Sequence, residues 1–550
     1  MCLNSEVQNI YSTFAADFFK NCFKDMNKFK TSLLSVMLTT TATTAMAGGI
    51  LTNTNQSIDF LRNPARDAAI GLDGVYSNPA GVAFLPEGFY LGLNWQYAHQ
   101  TRTVTSTNPV FSLGRKNLGS DTKVFEGVAD APIIPSIQAA WNKGDWSMQF
   151  NFSVPGGGGK CDFDDGLGSF ESVVGSIAQQ LAPLGATGYD MNGFMRGRQY
   201  YFGVQLGAAY KLYDNLSVYG GLRLLYGDAT YKAKISNIQV QTQTSMGSAY
   251  VDFGSFLQGA TATVDGNMTK VSDGLAQVGA GLAQVAAGIA QYQEAGAPVP
   301  EALTAQQNQL LATQAELQQS KALLEGTQTS LAALQKYSQG VNLLCNQTSL
   351  GIAPVIGVDY KLNNHFNFAA KYEFKTQIRM KNESTLDEAS EIPAVNKFRD
   401  GEKVNEDQPA LLTVGAQWSP VEPIRLNVDC HMFFDKDANW YNDTQRLLDH
   451  NTMEYLAGAE WDITDRLTVS AGGQLTRYGL TDEYMNDMSF VVNSYSYGFG
   501  FNYKLTDHVK VKAAYFQTNY EDYDRVVSAT VKDSFTRTNR VLGIGCDINL

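Results

Sequence analysis

From residue 133 to its end the chain repeats one pattern. A segment of roughly ten alternating residues runs into a tight polar turn, a second alternating segment follows, and then a longer variable loop. The tight turns are Asn142-Lys143-Gly144-Asp145, Tyr213-Asp214-Asn215, Asn363-Asn364-His365, Ser419-Pro420-Val421-Glu422-Pro423, Thr464-Asp465 and Thr506-Asp507-His508. Their Asn, Asp, Gly and Pro content suits hairpins. The other connections are far longer, for example 381–408 and 435–452. Short turns at one end and long loops at the other, around strands of this length, describe a barrel that crosses an outer membrane. A soluble sandwich can contain one such strand, but it does not require connections that alternate short and long throughout.

The alternation divides each strand into two faces. At the C-terminus Leu542, Ile544, Cys546, Ile548 and Leu550 share one face, and Val541, Gly543, Gly545, Asp547 and Asn549 the other. In 424–434 the outward set is Leu426, Val428, Cys430, Met432 and Phe434, and the inward set Arg425, Asn427, Asp429, His431 and Phe433. Trp141, Trp146, Trp418 and Trp461 lie beside the short turns, where an interfacial girdle belongs. Counting segments gives fourteen strands, beginning near 89, 133, 145, 199, 216, 351, 366, 409, 424, 453, 466, 492, 508 and 536. An even number brings both barrel ends to the periplasmic side.

Composition agrees. Only 17% of residues are charged, against about 25% in soluble domains. The 50 Gly, 27 Tyr and 29 Phe belong to aromatic, glycine-punctuated strands. A mean hydropathy of −0.20 excludes a polytopic helical membrane protein. A net charge of −13 without a basic stripe disfavours nucleic acid as a partner. Met26-Asn27-Lys28-Phe29-Lys30 is a basic n-region, 33–46 a short apolar h-region, and Ala45-Met46-Ala47 a cleavage site, so residues 1–47 read as an export signal region whose true start is Met26. No Cys/His pair has zinc spacing and only five His are present, so no metal site and no cofactor are expected. No nucleophile elbow or phosphate loop is present, so the chain does not read as an enzyme.

A barrel of fourteen strands is wide enough to leak unless something fills it. The candidate plug is 48–88, ahead of a barrel spanning 89–550. It carries an Ala-rich stretch, Asn63-Pro64-Ala65-Arg66-Asp67-Ala68-Ala69-Ile70-Gly71, and then Tyr76-Ser77-Asn78-Pro79-Ala80-Gly81. Together with Ile134-Pro135-Ser136 leading to the Trp141 turn, and 206–212 followed by Leu216-Ser217-Val218, this resembles the FadL-type outer-membrane transporters of long-chain fatty acids and other hydrophobic compounds. The resemblance implies a hatch inside the barrel, capture of a hydrophobic ligand by extracellular loops, and sideways exit to outer-membrane lipid through a gap made by an inward kink of the third strand. It places the hatch residues Asn78, Pro79, Ala80 and Gly81 against that kink. Here the third strand runs into Pro155-Gly156-Gly157-Gly158-Gly159. Pro155 and Gly156 suit a local break in the wall, or equally a plain strand end and flexible loop.

Two outward loops stand out. Loop 155–198 has a helix-like pattern over Phe170 to Leu184; Phe163 and Phe170 head an apolar set that is a docking groove by resemblance, or a small satellite core. Loop 233–350 contains a heptad seam, Met268, Val271, Leu275, Val278, Leu282, Val285, Ile289 and Tyr292, with Gly274, Gly281 and Gly288 beside it. Leu303, Leu310, Leu317, Leu324 and Leu331 follow at intervals of seven. This is an antiparallel helical hairpin over 254–345, its first helix roughly 40 Å long, packed on itself or on a protein partner or second copy. Cys161 and Cys345 fall in the two loops and are a candidate disulfide; Cys430 and Cys546 face lipid. The expectation is thus an all-β transmembrane protein of the bacterial outer membrane that passes fatty acids or similar molecules by hatch-gated passive diffusion. The alternatives are a barrel that anchors the hairpin for adhesion or complex formation, and a polar-solute porin.

Overall fold

The computed structural model describes residues 49–245, 247–386 and 397–550. The export signal read over 1–47 lies outside them. Eighteen strand segments form one antiparallel sheet that closes on itself, because β1 (Gly88–Thr107) pairs with both β2 (Thr122–Lys143) and β18 (Lys532–Asn549). Between them run β3 (Trp146–Phe163), β4 (Ala186–Tyr213), β5 (Leu216–Thr244), β7 (Val341–Lys361), β8 (Phe366–Glu373), β11 (Leu411–Val421), β12 (Ile424–Phe433), β13 (Thr452–Asp462), β14 (Leu467–Arg477), β15 (Ser494–Lys504) and β16 (Val509–Tyr520). Four short segments are not separate wall positions. β9 (Arg379–Leu386) prolongs β8 along β7, β17 (Tyr523–Val526) prolongs β16 along β18, β10 (Lys403–Asn405) pairs with β9, and β6 (Gly247–Asp252) doubles back on β5. The wall therefore has fourteen strands. All six predicted short turns lie at the end where β1 begins and β18 finishes, which parity assigns to the periplasm.

The predicted faces are present. On β12 Asn427, Asp429, His431 and Phe433 are buried while Val428 is exposed. Trp141, Trp146, Trp418 and Trp461 are 45–53% exposed beside the short turns, as an interfacial girdle requires.

Strand length is where the structure departs from expectation. β4 and β5 contain 28 and 29 residues, far more than crossing a bilayer needs. On β5 the outward set runs Leu222, Leu224, Tyr226 and then Asp228, Thr230, Lys232, Lys234. On its neighbour β7 it changes between Leu350 and Thr348, which pair with Tyr226 and Asp228. This level marks the outer edge of the apolar belt. Above it the polarity inverts: Ala229, Tyr231 and Ile235 face inward and are buried. The ladder continues, but the lipid-facing alternation that reveals it in the sequence does not.

The long insertion is a helical hairpin, but it ends before the expected 345, because β7 already begins at Val341, and its first helix is longer than the expected ~40 Å. Its helices, Phe253–Glu294 and Glu301–Gln335, have 42 and 35 residues, so the first spans about 63 Å. The recurring glycines meet the recurring leucines: a Cβ at Gly274 would lie 3.3 Å from Leu317 and one at Gly281 3.4 Å from Leu310.

The disulfide expectation is corrected. Cys161 and Cys345 are free, and both sit on strands. Cys161 is in register with Gly197, Gly197 with Tyr231, and Tyr231 with Cys345. Three strand spacings separate them, about 14 Å along the wall, twice the ~7 Å between Cα atoms that a disulfide tolerates.

Candidate functional site

Residues 49–69 are buried without exception, and the segment up to Phe84 stays mostly so, threaded down the lumen. Charge pairs fix it there. Arg62 and Arg66 both reach Glu460 of β13, at 2.6 and 2.9 Å, and Arg66 also holds Asp73 at 2.8 Å. Asp59 pairs with Lys512 of β16. Tyr76 lies under Arg223 and Lys371, whose shared partner is Glu373. Buried charges are tolerable only when paired in this way, so the hatch is bound to the wall on several sides.

The wall itself has one long interruption. β2 and β3 pair from Lys143↔Trp146 up to Ile137↔Phe152, and again from Ala129↔Cys161 to Gly127↔Phe163. Between these stretches no β2–β3 pair forms. On its other side β3 stays attached to β4, with register shifts at Ser153/Gly156 and Gly157/Gly159. The chemistry is local. Pro155 has no N–H to donate, and Gly157 and Gly159 hold φ of +78° and +84°, where side chains are strained. Gly156 and Gly157 pair with Tyr201 and Tyr200, which in turn pair with Gly227 and Asp228. The interruption is thus level with the outer edge of the lipid belt. Pro155 neither ends the strand nor begins a loop; β3 passes through it to Phe163.

The freed backbone of β3 is taken up by the hatch. Asn53 N donates to Pro155 O at 2.9 Å and Asn53 Nδ2 to Gly157 O at 2.6 Å. Gln56 Nε2 donates to Val154 O at 3.1 Å, and Gln56 Oε1 accepts from Val154 N at 2.9 Å. Thr52 bridges Gly156. The segment against the kink is therefore Thr52–Gln56, not Asn78–Ala80. Asn78 instead donates to Asp359 of β7 at 2.6 Å and accepts from Gly81 N at 3.1 Å. Pro79 O and Ala80 O accept from Gln149 and Ser217, each at 2.7 Å. A Cβ on Gly81 would come within 2.8 Å of Asp359 Oδ2, so this corner closes only around glycine. These four residues moor the hatch near the periplasmic end.

Above the interruption the inverted strands enclose an apolar mass. Phe163 and Phe170 are buried in it with Phe111, Phe125, Tyr189 and Tyr231. Phe170 arrives on a helix, Gly168–Gln180, which overlaps the predicted 170–184 span but starts and ends earlier. A second apolar cluster links the hatch to the interruption through Phe60, Ala131, Ile134 and Val154, with Tyr200 and Phe202 packed against it. At the extracellular level Arg102 and Arg537 stand directly opposite each other on β1 and β18, each 2% exposed. Arg102 lies 6.0 Å from the Phe490 ring and Arg537 4.8 Å from Tyr520. Arg102 pairs with Gly127, and Gly127 with Phe163. Sequence reasoning missed this pair because a lone inward Arg on each of two strands 435 positions apart carries no signal. It missed Thr52–Gln56 because that run is polar and patternless.

At the periplasmic end, a cavity of about 890 Å³ lies between hatch and wall, lined by Arg62, Arg66, Asp73, Arg425, Glu460 and Asp462 among others.

Fold and site together define a hatch-plugged, fourteen-stranded barrel of the outer-membrane type. No protein-family model and no curated protein matches the chain. Among solved structures, the crystal structure of a Pseudomonas aeruginosa FadL homologue aligns over 91% of this chain and 100% of its own, with a TM-score of 0.56 at 11% identity. The Pseudomonas putida toluene transporter TodX aligns over 87% of this chain and 94% of its own, with a TM-score of 0.49 at 13% identity. The first of these likenesses establishes that the chain has the FadL-type fold.

Proposed function

We propose that this protein lets amphipathic hydrophobic molecules, long-chain fatty acids above all, cross the outer membrane of a bacterium by passive diffusion. The carrying observation is the interruption between β2 and β3 at lipid level, with the hatch supplying the hydrogen bonds that the wall lacks. A buried backbone group without a partner costs several kcal/mol at membrane depth. A wall strand held open by the plug is therefore a built feature.

The route follows from polarity. The apolar mass around Phe163 and Phe170 takes the acyl tail, and Arg102 and Arg537 take the acidic head. The tail then passes Val154, Tyr200 and Phe202 to the interruption and enters the bilayer. An acyl chain gains roughly 0.8 kcal/mol per buried CH₂, and the periplasmic cavity walled by Arg66, Arg425 and Asp462 would forfeit that gain. Sideways exit is the cheaper path. The opposed arginines favour an acid over a neutral hydrocarbon, since a charge-assisted bond is about twice as strong as a neutral one. The filled lumen disfavours a polar-solute porin.

The test is uptake of a labelled long-chain fatty acid and of a sugar of similar mass by a deletion strain and the same strain complemented with this chain. Complementation should restore fatty-acid uptake and leave the sugar unaffected. Equal fatty-acid uptake by the two strains rejects the proposal.

A further inference from the structure

Of the chain's five histidines, His431 on β12 is the buried one, 3% exposed. Its ring is held at both nitrogens, Nδ1 at 3.0 Å from Glu454 Oε2 and Nε2 at 2.9 Å from Asp67 Oδ2. Asp429 is two residues earlier on the same inward face, and its Oδ2 accepts from Asp67 N at 2.8 Å. Its other oxygen, Oδ1, is buried with no hydrogen-bond partner. That oxygen lies over Gly415, where a Cβ would come within 2.5 Å of it and 2.8 Å of Asp67 Cβ. Only glycine leaves this corner open. One ligand atom each from Asp67, Asp429 and His431 falls within 4.8 Å of the others.

Three buried carboxylates, those of Asp67, Asp429 and Glu454, thus converge on one imidazole. The nearby Arg66 is committed to Asp73 and Glu460. Buried negative charge in excess of its partners is costly, and a divalent cation offsets it. The surroundings have the form that metal-binding histidines share, in which the second ring nitrogen is fixed by a carboxylate. Glu454 does this while being held in turn by Gln474 and by Thr476 Oγ1, the latter at 2.9 Å. Bonds of about 2.1 Å to a tetrahedral ion space its ligand atoms ~3.4 Å apart. The 2.9 Å between Asp67 and His431 is close to that spacing. One imidazole with two carboxylates suits Zn²⁺, Mn²⁺ or Fe²⁺, whereas Ca²⁺ and Mg²⁺ prefer oxygen alone.

The geometry points to a divalent transition-metal site built from Asp67, Asp429 and His431 and oriented by Glu454, which staples the hatch to the barrel wall. Binding replaces the proton between His431 Nε2 and Asp67 with the ion and releases that proton to solvent. The expectation of no metal site from sequence rested on Cys/His spacing. The staple escapes that test because Asp67 belongs to the hatch and reaches β12 only through the fold.

The full-length protein, folded in detergent and stripped with a chelator, is dialysed against Zn²⁺ or Co²⁺ and its metal content measured by mass spectrometry. We expect about one ion retained per folded chain, with Co²⁺ giving visible d–d bands. Asp67→Asn and Asp429→Asn should each abolish retention, and Glu454→Gln should weaken it by about 10–100-fold. Migration of unheated protein on a denaturing gel reports barrel folding for each variant. Asp67→Asn changes the hatch and not the wall, so it decides the matter if a wall variant fails to fold. No retained ion on the native chain, or equal retention by Asp67→Asn, overturns the staple.

Discussion

The double substitution Asn53→Ala with Gln56→Ala acts on the bonds between the hatch and β3 and, within the hatch, removes only the bond from Gln56 Nε2 to Asn53 O. It removes three side-chain hydrogen bonds to β3, namely Asn53 Nδ2 to Gly157 O, Gln56 Nε2 to Val154 O, and Val154 N to Gln56 Oε1. It leaves the backbone bond from Asn53 to Pro155 and the charge pairs of Arg62 and Arg66 in place. At about 1 kcal/mol of net stability per bond, the kinked backbone loses about 3 kcal/mol. Since 1.4 kcal/mol is tenfold in an equilibrium constant, the ordered interruption loses roughly a hundredfold in population relative to alternatives in which β3 moves toward β2. Two measurements follow. Hydrogen exchange of the peptide containing Val154 should accelerate by up to about a hundredfold, while peptides from β13 to β16 stay protected. Fatty-acid uptake should fall at unchanged barrel abundance. Unchanged exchange would show that the hatch does not hold the kink. Accelerated exchange with undiminished uptake would show that the ligand leaves by another route.

Other consequences are narrower. Replacing Arg102 and Arg537 by Gln should weaken binding of a long-chain fatty acid by about 10–100-fold, from the ~1.5–3 kcal/mol of a hydrogen bond to a charged group, and leave its methyl ester unaffected; calorimetry with the two ligands in detergent checks this. Burial raises the Asp435 carboxyl, in the loop after β12, to about 7. The folded state therefore keeps a proton that the unfolded chain gives up near 4, so this group's contribution is present at low pH and is lost as pH rises through 7. Asp435→Asn should flatten that dependence in thermal melts taken between pH 5 and 8. Gly266 and Gly279 have nothing within 4 Å of an added Cβ. Changing each to Ala should stabilise the hairpin by about 0.8–1 kcal/mol, seen as slower exchange across 253–335. Gly281→Leu, which drives into Leu310, should do the reverse.

How far the sequence could be read follows from where its physics is local. The faces of β12 and β18 were legible because a lipid belt outside and a polar lumen inside impose a period of two on adjacent residues. The hairpin was legible because Gly274, Gly281 and Gly288 repeat at the same interval as the leucines they meet. The upper halves of β4 and β5 were not, since above Tyr226 water replaces lipid and Asp228, Thr230 and Lys232 resemble loop residues although they continue a ladder. The hatch contacts were least legible of all. Asn78, Pro79, Ala80 and Gly81 form a recognisable turn, but a turn motif states its own shape and not what it touches, and here it touches Asp359, Gln149 and Ser217. Thr52–Gln56 carries no motif because its task is to complete another strand's backbone, and backbone groups are the same in every residue. The kink seat at Gln56 and the Asp67–His431 contact join the hatch to the wall, and Arg102 with Arg537 joins the first strand to the last. Contacts between segments this far apart become readable only once closure has brought the segments together.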